Sequence, residues 1–490
     1  MRQSGVLAHV TSLPGPEGIG TLGQPAYDFV DFLRRGGFSI WQMLPIGPTG
    51  FGDSPYQSPS AFAGNPLLID LAQLRADGLL DGAEPARAPE TRVDFERVRK
   101  EKEAALRASF DVSGARLKDK IDAFAGENPW AVVYARYETL CEQYGAFSAW
   151  PREAKRYCIE KDAGTEEALR QNASRVQYHL YVQYLFSVQW QRLKAYANAR
   201  GIELFGDMPI YAAPGSADVW ATPKMFQMDE NVNSTRVAGV PPDYFSADGQ
   251  LWGNPLYNWR ALSRDHYRWW IERLKSMGER FDILRIDHFI GFANYYSIPA
   301  DAKNARTGKW VKNKGRRFFK AVKRALPGLC VVAEDLGAVN KRVRRLIDFC
   351  GYPGMKVLEF TFDGGDDNPH LPKNTGAHCV VYTGTHDNDT AAGWWAGSDE
   401  ARRARVREVL KMAPDEEIAP KMVRAALGSR AERTVIPLQD MLGLGSEARM
   451  NTPGTVGGDN WRWRALPGQL TDALADALRT LNERYERGAG

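Results

Sequence analysis

The stretch Phe281-Asp-Ile-Leu-Arg-Ile-Asp-His-Phe289 decides how the rest of the chain is read. Its middle is apolar, as expected of a strand covered on both faces of a parallel sheet. Arg285 and Asp287 stand two residues apart, so on a strand both project to one face while Ile286 projects to the other. A cation and a carboxylate sharing the face of an otherwise apolar strand are a chemical feature rather than a packing one. The guanidinium is expected to draw the Asp287 pKa down and keep it ionised, the state required of a nucleophile.

Seven further apolar runs, each ending in a polar or Gly/Pro element, lie on either side: Val6–Leu13, Ser39–Ile46, Ile202–Ile210, Cys330–Leu336, Met355–Phe360, Cys379–His386 and Val435–Met441. Helical periodicity separates many of them. Leu180, Tyr184, Val188 and Trp190 form a stripe between Val176 and Tyr196, and Leu470, Leu474, Leu478, Leu481 and Tyr485 form another after the last strand. Eight strands with intervening helices give the α/β class and the (β/α)8 TIM barrel, although an open doubly wound sheet alternates in a similar way. The whole chain, 1–490, reads as one catalytic barrel. Residues 70–200, rich in Ala, Glu, Arg and Lys, read as a helical insertion subdomain between the second and third strands. Residues 211–280 read as a second insertion whose Pro-, Gly- and Trp-rich first part, without periodicity, suits an active-site lid loop. The basic run Lys309–Lys323 reads as a solvated helix face.

At 490 residues, 43% hydrophobic and 25% charged, the composition excludes disordered, collagenous and membrane classes. The net charge of +4 is too balanced to point to nucleic acid or an anionic membrane as a partner. Five scattered cysteines without a C-x-x-C pair argue against a disulfide framework and suit a reducing compartment. No secretory signal and no run of about 18 apolar residues is visible, so the cytoplasm is the expected location. Gly443-Leu-Gly445-Ser-Glu-Ala448 mimics a dinucleotide fingerprint but follows the last strand, outside the context that motif requires. No cofactor is expected.

In a barrel of this class reactive groups gather at the C-terminal ends of the strands. Here Asp207 ends the third strand, Asp287 the fourth, Glu334 the fifth, and His386 with Asp387 the seventh. Any one of them has a plain alternative as the N-cap of the following helix. Together they form the set a retaining glycosidase needs: an ionised nucleophile, and an acid kept protonated by burial or by neighbouring carboxylates, for which Glu334 is placed. Two other readings remain open. Asp287, His288, Glu334, His386 and Asp387 are also possible ligands of a zinc-type hydrolase, although a strand-end arginine is a poor neighbour for a cation. A non-catalytic sugar sensor would keep an aromatic cleft but has no need of three convergent carboxylates.

With these strands placed, the chain resembles the 4-α-glucanotransferases known as amylomaltases or disproportionating enzymes, the glycoside hydrolase family 77 branch of the α-amylase clan. The resemblance spans nearly the whole length. It rests on Thr11-Ser-Leu-Pro-Gly15, Gly52-Asp-Ser-Pro-Tyr-Gln57 with Ala61-Phe-Ala-Gly-Asn-Pro66, Gly206-Asp-Met-Pro-Ile210, Gly239-Val-Pro-Pro-Asp-Tyr-Phe-Ser246, Leu251-Trp-Gly-Asn-Pro-Leu-Tyr257, Arg285-Ile-Asp-His-Phe289, Ala333-Glu-Asp-Leu-Gly337, Thr383-Gly-Thr-His-Asp-Asn-Asp389 and Arg449-Met-Asn-Thr-Pro-Gly454 with Asn460-Trp-Arg-Trp463. The resemblance implies Asp287 as nucleophile, Glu334 as general acid/base and Asp387 as the third carboxylate, gripping sugar hydroxyls. It implies substrate binding by Ser54, Tyr56, Asp207, Asp243, Tyr244, Gln250, Trp252, Arg285, His288, His386 and Asn451, with no metal. The implied partners are maltooligosaccharides and starch- or glycogen-derived α-1,4-glucans, and the implied reaction is transfer, with hydrolysis on the same carboxylates as the alternative. The clan's usual C-terminal β-sandwich is expected to be missing.

Overall fold

Twelve strands run through the computed structural model, which describes residues 2–82, 89–242, 247–337 and 339–488. In chain order they are β1 (Gln3–Leu7), β2 (Ile40–Gln42), β3 (Glu203–Met208), β4 (Arg236–Val240), β5 (Gln250–Pro255), β6 (Ile283–Ile286), β7 (Asn294–Pro299), β8 (Lys309–Lys312), β9 (Val331–Ala333), β10 (Gly354–Val357), β11 (Cys379–Tyr382) and β12 (Arg433–Pro437). Eight of them form one parallel sheet in the order β10-β11-β12-β1-β2-β3-β6-β9. The Ala333 N–H donates to the Pro353 carbonyl at 2.9 Å, joining β9 to the start of β10 and closing the sheet into a barrel. Each of the eight overlaps one of the expected apolar runs, β1 only at Val6 and Leu7 because it begins at Gln3. Each is shorter than its run, because the C-terminal residues of the run leave the ladder to build the rim.

Side-chain alternation sorts each strand into two cores. Leu7, Ile40, Phe205, Ile283, Val332, Val380 and Val435 pack together inside the barrel. Val6, Trp41, Leu204, Leu284, Ile286, Val331 and Ala333 face outward into the layer covered by helices. The inward parity continues from Ile283 to Arg285 and Asp287, from Phe205 to Asp207, and from Val332 to Glu334. The rule that fills the barrel with aliphatic residues therefore delivers the charged groups to its open end.

Between β2 and β3 the chain forms six long helices from Phe95 to Ala199, after the short helix Leu71–Ala76. The last of them, Ala173–Ala199, departs from the expected single stripe. It buries Tyr178, Leu180, Tyr181, Val182, Gln183, Leu185, Phe186, Gln189, Trp190 and Leu193, because it lies between the barrel and the other helices and is covered on most sides. A buried ion pair between Lys102 and Glu17 fastens the helix Phe95–Ser113 to the loop that follows β1. Lys102 also donates to the Ile69 carbonyl, and Glu17 accepts from the Leu71 N–H at 2.9 Å, so neither buried charge relies on its partner alone.

The region after β3 corrects the sequence reading. Instead of an aperiodic loop it contains β4 and β5, which join β7 and β8 in a four-stranded antiparallel sheet of order β5-β4-β7-β8. The strands are short and a register shift interrupts β4 against β5, so no alternation accumulates over a readable window. Two crossovers, the one after β3 and the one after β6, thus contribute to one cover. The run Lys309–Lys323 divides into the exposed strand β8 and the helix Gly315–Ala325, whose Phe318, Phe319 and Val322 are buried. Among the described residues no strand follows β12, and the helix Asp472–Arg484 packs back on the first helix, with Arg35 paired to Asp476 at 2.8 Å.

Candidate active site

Parallel pairing of β3 with β6 sets Asp207 beside Arg285. The guanidinium uses Nη1 on both Asp207 oxygens, at 2.8 and 2.6 Å, and Nη2 on Asp287 Oδ1 at 3.0 Å. Asp207 and Arg285 are buried, whereas the Asp287 side chain keeps 29% exposure where the barrel opens. The Tyr56 hydroxyl donates to Asp207 Oδ2 at 2.8 Å, which fixes its ring over the opening. The His386 ring stacks on Tyr56 at 5.2 Å between centroids, and Trp461 lies 5.8 Å from Tyr56.

Glu334 stands one residue beyond β9. Its Oε2 accepts from the His288 N–H at 2.8 Å and its Oε1 from the Leu336 N–H at 2.6 Å. The ladder itself continues past the strand ends: the Asp287 N–H donates to the Met208 carbonyl at 3.0 Å and the Glu334 N–H to the Ile286 carbonyl at 3.1 Å. His288 adopts φ 48°, in the left-handed region that non-glycine residues seldom occupy, and there its amide turns toward Glu334.

Burial pushes the Glu334 carboxyl up to about 8; Arg285 opposes the rise and Asp287 adds to it. Asp287 is likewise raised by burial, to about 6, against the pull of Arg285. This corrects the expectation that Arg285 would hold Asp287 low. The guanidinium is shared with Asp207, and the barrel wall strips enough water from Asp287 for desolvation to win. The separation between the two acids survives the correction. Both carboxyls are raised, Glu334 further than Asp287, so of the two Asp287 is the one that ionises more readily. Burial lowers His288 to about 4 and also lowers His386, where Asp387 opposes the shift, so both rings are neutral.

Asp387 lies beyond the end of β11, on the loop after it. Asn451 Nδ2 donates to its Oδ1 at 2.7 Å, Arg449 donates to its carbonyl at 2.8 Å, and His386 Nε2 lies 3.5 Å from Oδ1. Among the described residues no three His, Cys, Asp or Glu side chains are grouped to hold a metal ion. The positive charge between Asp207 and Asp287 is Arg285 itself.

The glycoside hydrolase 77 family model, described as 4-alpha-glucanotransferase, matches residues 8–469. The chain belongs to this family. A 4-alpha-glucanotransferase of Thermus thermophilus is 44% identical over 99% of this chain and 99% of its own. One from Streptococcus pneumoniae is 43% identical over 99% of this chain and 97% of its own. Among solved structures, an amylomaltase from Streptococcus agalactiae in complex with acarbose matches with a TM-score of 0.96 at 36% identity, covering 100% of both chains.

Within this family 77 enzyme, contacts join Tyr56, Asp207, Arg285, Asp287, His288, Glu334, His386, Asp387 and Asn451 around one opening. Among the described residues Ser54 reaches the group by accepting the Tyr56 N–H at 3.3 Å. Trp252 stands edge-on to His288 at 4.9 Å, and its indole N–H donates to Gln250 at 3.1 Å, so both belong to the cover. Asp243 and Tyr244 lie outside the described residues. Three neighbours escaped the sequence reading of the site. Trp461 flanks Tyr56 and His386 from a far part of the chain, and Tyr211 lies 6.3 Å from Trp252. His9 is buried, and burial, with a smaller contribution from His386, lowers it to about 3. For His9 the available signal was its place just past β1, the same rim position that marks the acids.

Proposed function

We propose that this 4-α-glucanotransferase moves α-1,4-glucan segments from a donor maltooligosaccharide to the 4-OH of glucose or of another glucan, with retention of configuration. The observation that carries the mechanism is the pair of rim carboxylates with separated proton affinities, Asp287 beside Arg285 and Glu334 in its buried seat. Asp287 attacks the anomeric carbon while Glu334 gives its proton to the departing glycosidic oxygen, leaving a glycosyl ester on Asp287. The acceptor 4-OH then attacks the same carbon, its proton passes to Glu334, and the ester bond to Asp287 breaks. Asp387, held by Asn451, grips hydroxyls of the distorted sugar. Tyr56 is the platform beneath that ring, and His386 is a neutral hydrogen-bond partner.

Transfer requires a sugar hydroxyl to outcompete water at the second step. Orienting the acceptor supplies effective concentrations of up to about 10⁵ M or more in well-aligned systems. The aromatic cover over His288, with Trp252 and Tyr211, supports this reading by offering flat rings to the apolar faces of glucose. The chain is read as one catalytic barrel over 1–490, with 70–200 as its helical insertion and 211–280 holding the lid loop. Five cysteines without a disulfide fit a reducing cytoplasm. No helix among the described residues is long and apolar enough to cross a membrane.

The test is incubation with maltotriose alone, with products separated by size and reducing ends counted in parallel. Glucose plus a ladder of longer maltooligosaccharides at constant reducing ends is expected. Rising reducing ends without longer products would make the enzyme a hydrolase on the same carboxylates.

A further inference from the structure

The loop from Thr383 to Ala391 carries His386 and Asp387, and two buried carboxylates hold it from beneath. Asp440 accepts from the Thr383 hydroxyl and, at 2.7 Å, from the Ala391 N–H, gripping the loop at both ends. Glu359, only 3% exposed, takes the middle: its Oε2 accepts from Asn388 Nδ2 at 2.9 Å. Asn388 Oδ1 accepts from the Thr385 N–H at 3.0 Å and from the Thr385 hydroxyl at 2.8 Å. Thr385 Oγ1 in turn accepts the Asp387 N–H at 3.3 Å. A continuous chain of hydrogen bonds thus runs from Glu359 through Asn388 and Thr385 to the backbone of Asp387.

The seat of Glu359 is shaped for it. A Cβ at Gly384 would come within 2.6 Å of Glu359 Oε1, so a larger residue there would push the carboxyl from its place under the loop. The Glu359 N–H also donates to the Thr383 carbonyl at 3.2 Å, joining the two backbones. Oε1 is buried and meets no hydrogen-bond partner among the described residues. The charged groups that face Glu359 are Asp440, Asp389 and Arg449. Burial, with the neighbouring carboxylates, raises its carboxyl well above the usual range, while the Asn388 amide and Arg449 oppose the rise.

We propose that Glu359 is a positioning residue for glucan transfer: by holding Asn388 it sets the Thr385–Asn388 turn and with it the carboxylate of Asp387, without touching sugar. This rests on the sugar-gripping role given to Asp387 above. Glu359→Leu removes the acceptor beneath Asn388, whereas Glu359→Gln preserves it. Transfer from maltotriose is measured well below the melting temperature and normalised to folded protein. Glu359→Leu is expected to lower kcat about 10-fold or more, and Glu359→Gln to stay within about twofold of the wild type. With an activated donor such as maltosyl fluoride, adding Glu359→Leu to Asp387→Ala is expected to cost nothing further, because both act through one carboxylate.

A normal kcat in Glu359→Leu, a loss in Glu359→Gln as large as in the leucine variant, or additive losses in the double variant would each overturn the proposal. If Glu359→Leu does not fold, Asn388→Ala breaks the same chain at its next link. The same 10-fold loss is then expected, and a normal kcat refutes the idea. A wild-type enzyme that fails to lengthen maltotriose is a different failure, that of the transfer reading itself.

Discussion

The backbone N–H of His288 donates to Glu334 Oε2 at 2.8 Å, tying the residue after Asp287, just past β6, to the acid just past β9. Pairing of β6 with β9 places the two strand ends side by side, and the left-handed turn at His288 directs the amide across. Asp287 and Glu334, the proposed nucleophile and acid, therefore sit in one rigid frame built from neighbouring strands, which suits chemistry that depends on their separation.

That frame predicts a bell-shaped dependence of kcat/KM on pH. Asp287 must be ionised, so activity falls as pH drops through about 6; Glu334 must be protonated, so activity falls as pH rises through about 8. Initial rates on maltotriose between pH 4 and 10 check both limbs. In Glu334→Gln the residual activity is expected to lose the alkaline limb, and an alkaline limb unchanged in that variant would remove Glu334 from the role of acid.

The same burial predicts a stability trade. Glu334 has a folded pKa above its ordinary 4.5, so its favourable contribution is complete below about 4.5 and is lost as pH rises through about 8. Glu334→Gln, always neutral, escapes that loss. The variant is expected to melt above the wild type by about 1 °C or more at pH 8, with a smaller difference at pH 5. Melting curves at the two pH values decide the matter, and a variant less stable at pH 8 would contradict a buried, raised acid.

Asn451 donates the 2.7 Å hydrogen bond that fixes Asp387 Oδ1. Hydrogen bonds to charged groups contribute roughly 1.5–3 kcal/mol, and Asn451→Ala is expected to lower kcat/KM about 10- to 100-fold with little change in melting temperature. Steady-state rates alongside a melting curve test this. A large drop in stability with normal kinetics would give Asn451 a purely structural role.

Trp252 stands edge-on to His288 at 4.9 Å and is tied to the cover strand β5 through Gln250. If the ring helps seat the acceptor and exclude water, Trp252→Ala is expected to raise the ratio of hydrolysis to transfer several-fold. Parallel assays of reducing ends and of product length give that ratio directly. An unchanged ratio would leave Trp252 a packing residue of the cover.

The barrel was legible because its strands are buried on both faces and read as apolar runs with a polar end. Residue parity then carried the reading to Arg285, Asp287 and Glu334. The cover was not legible. β4, β5, β7 and β8 are short, partly exposed strands drawn from two separate crossovers, and nothing local announces that Arg236–Val240 pairs with Asn294–Pro299. The sequence shows the motif that holds Trp461, Asn460-Trp-Arg-Trp463, but not its place at the site: it reaches Tyr56 from a left-handed turn far along the chain, a contact no local pattern announces.

By itself the sequence determined which residues stand at the barrel rim and which way they face, since a two-residue period and a strand end are local properties. Tertiary structure decided their chemistry. Arg285 is divided between Asp207 and Asp287 because β3 and β6 pair in that register, and Asp287 rises to about 6 because the surrounding walls remove its water. Desolvation and Coulomb attraction depend on distances across strands, so the balance between them is settled only when the barrel closes.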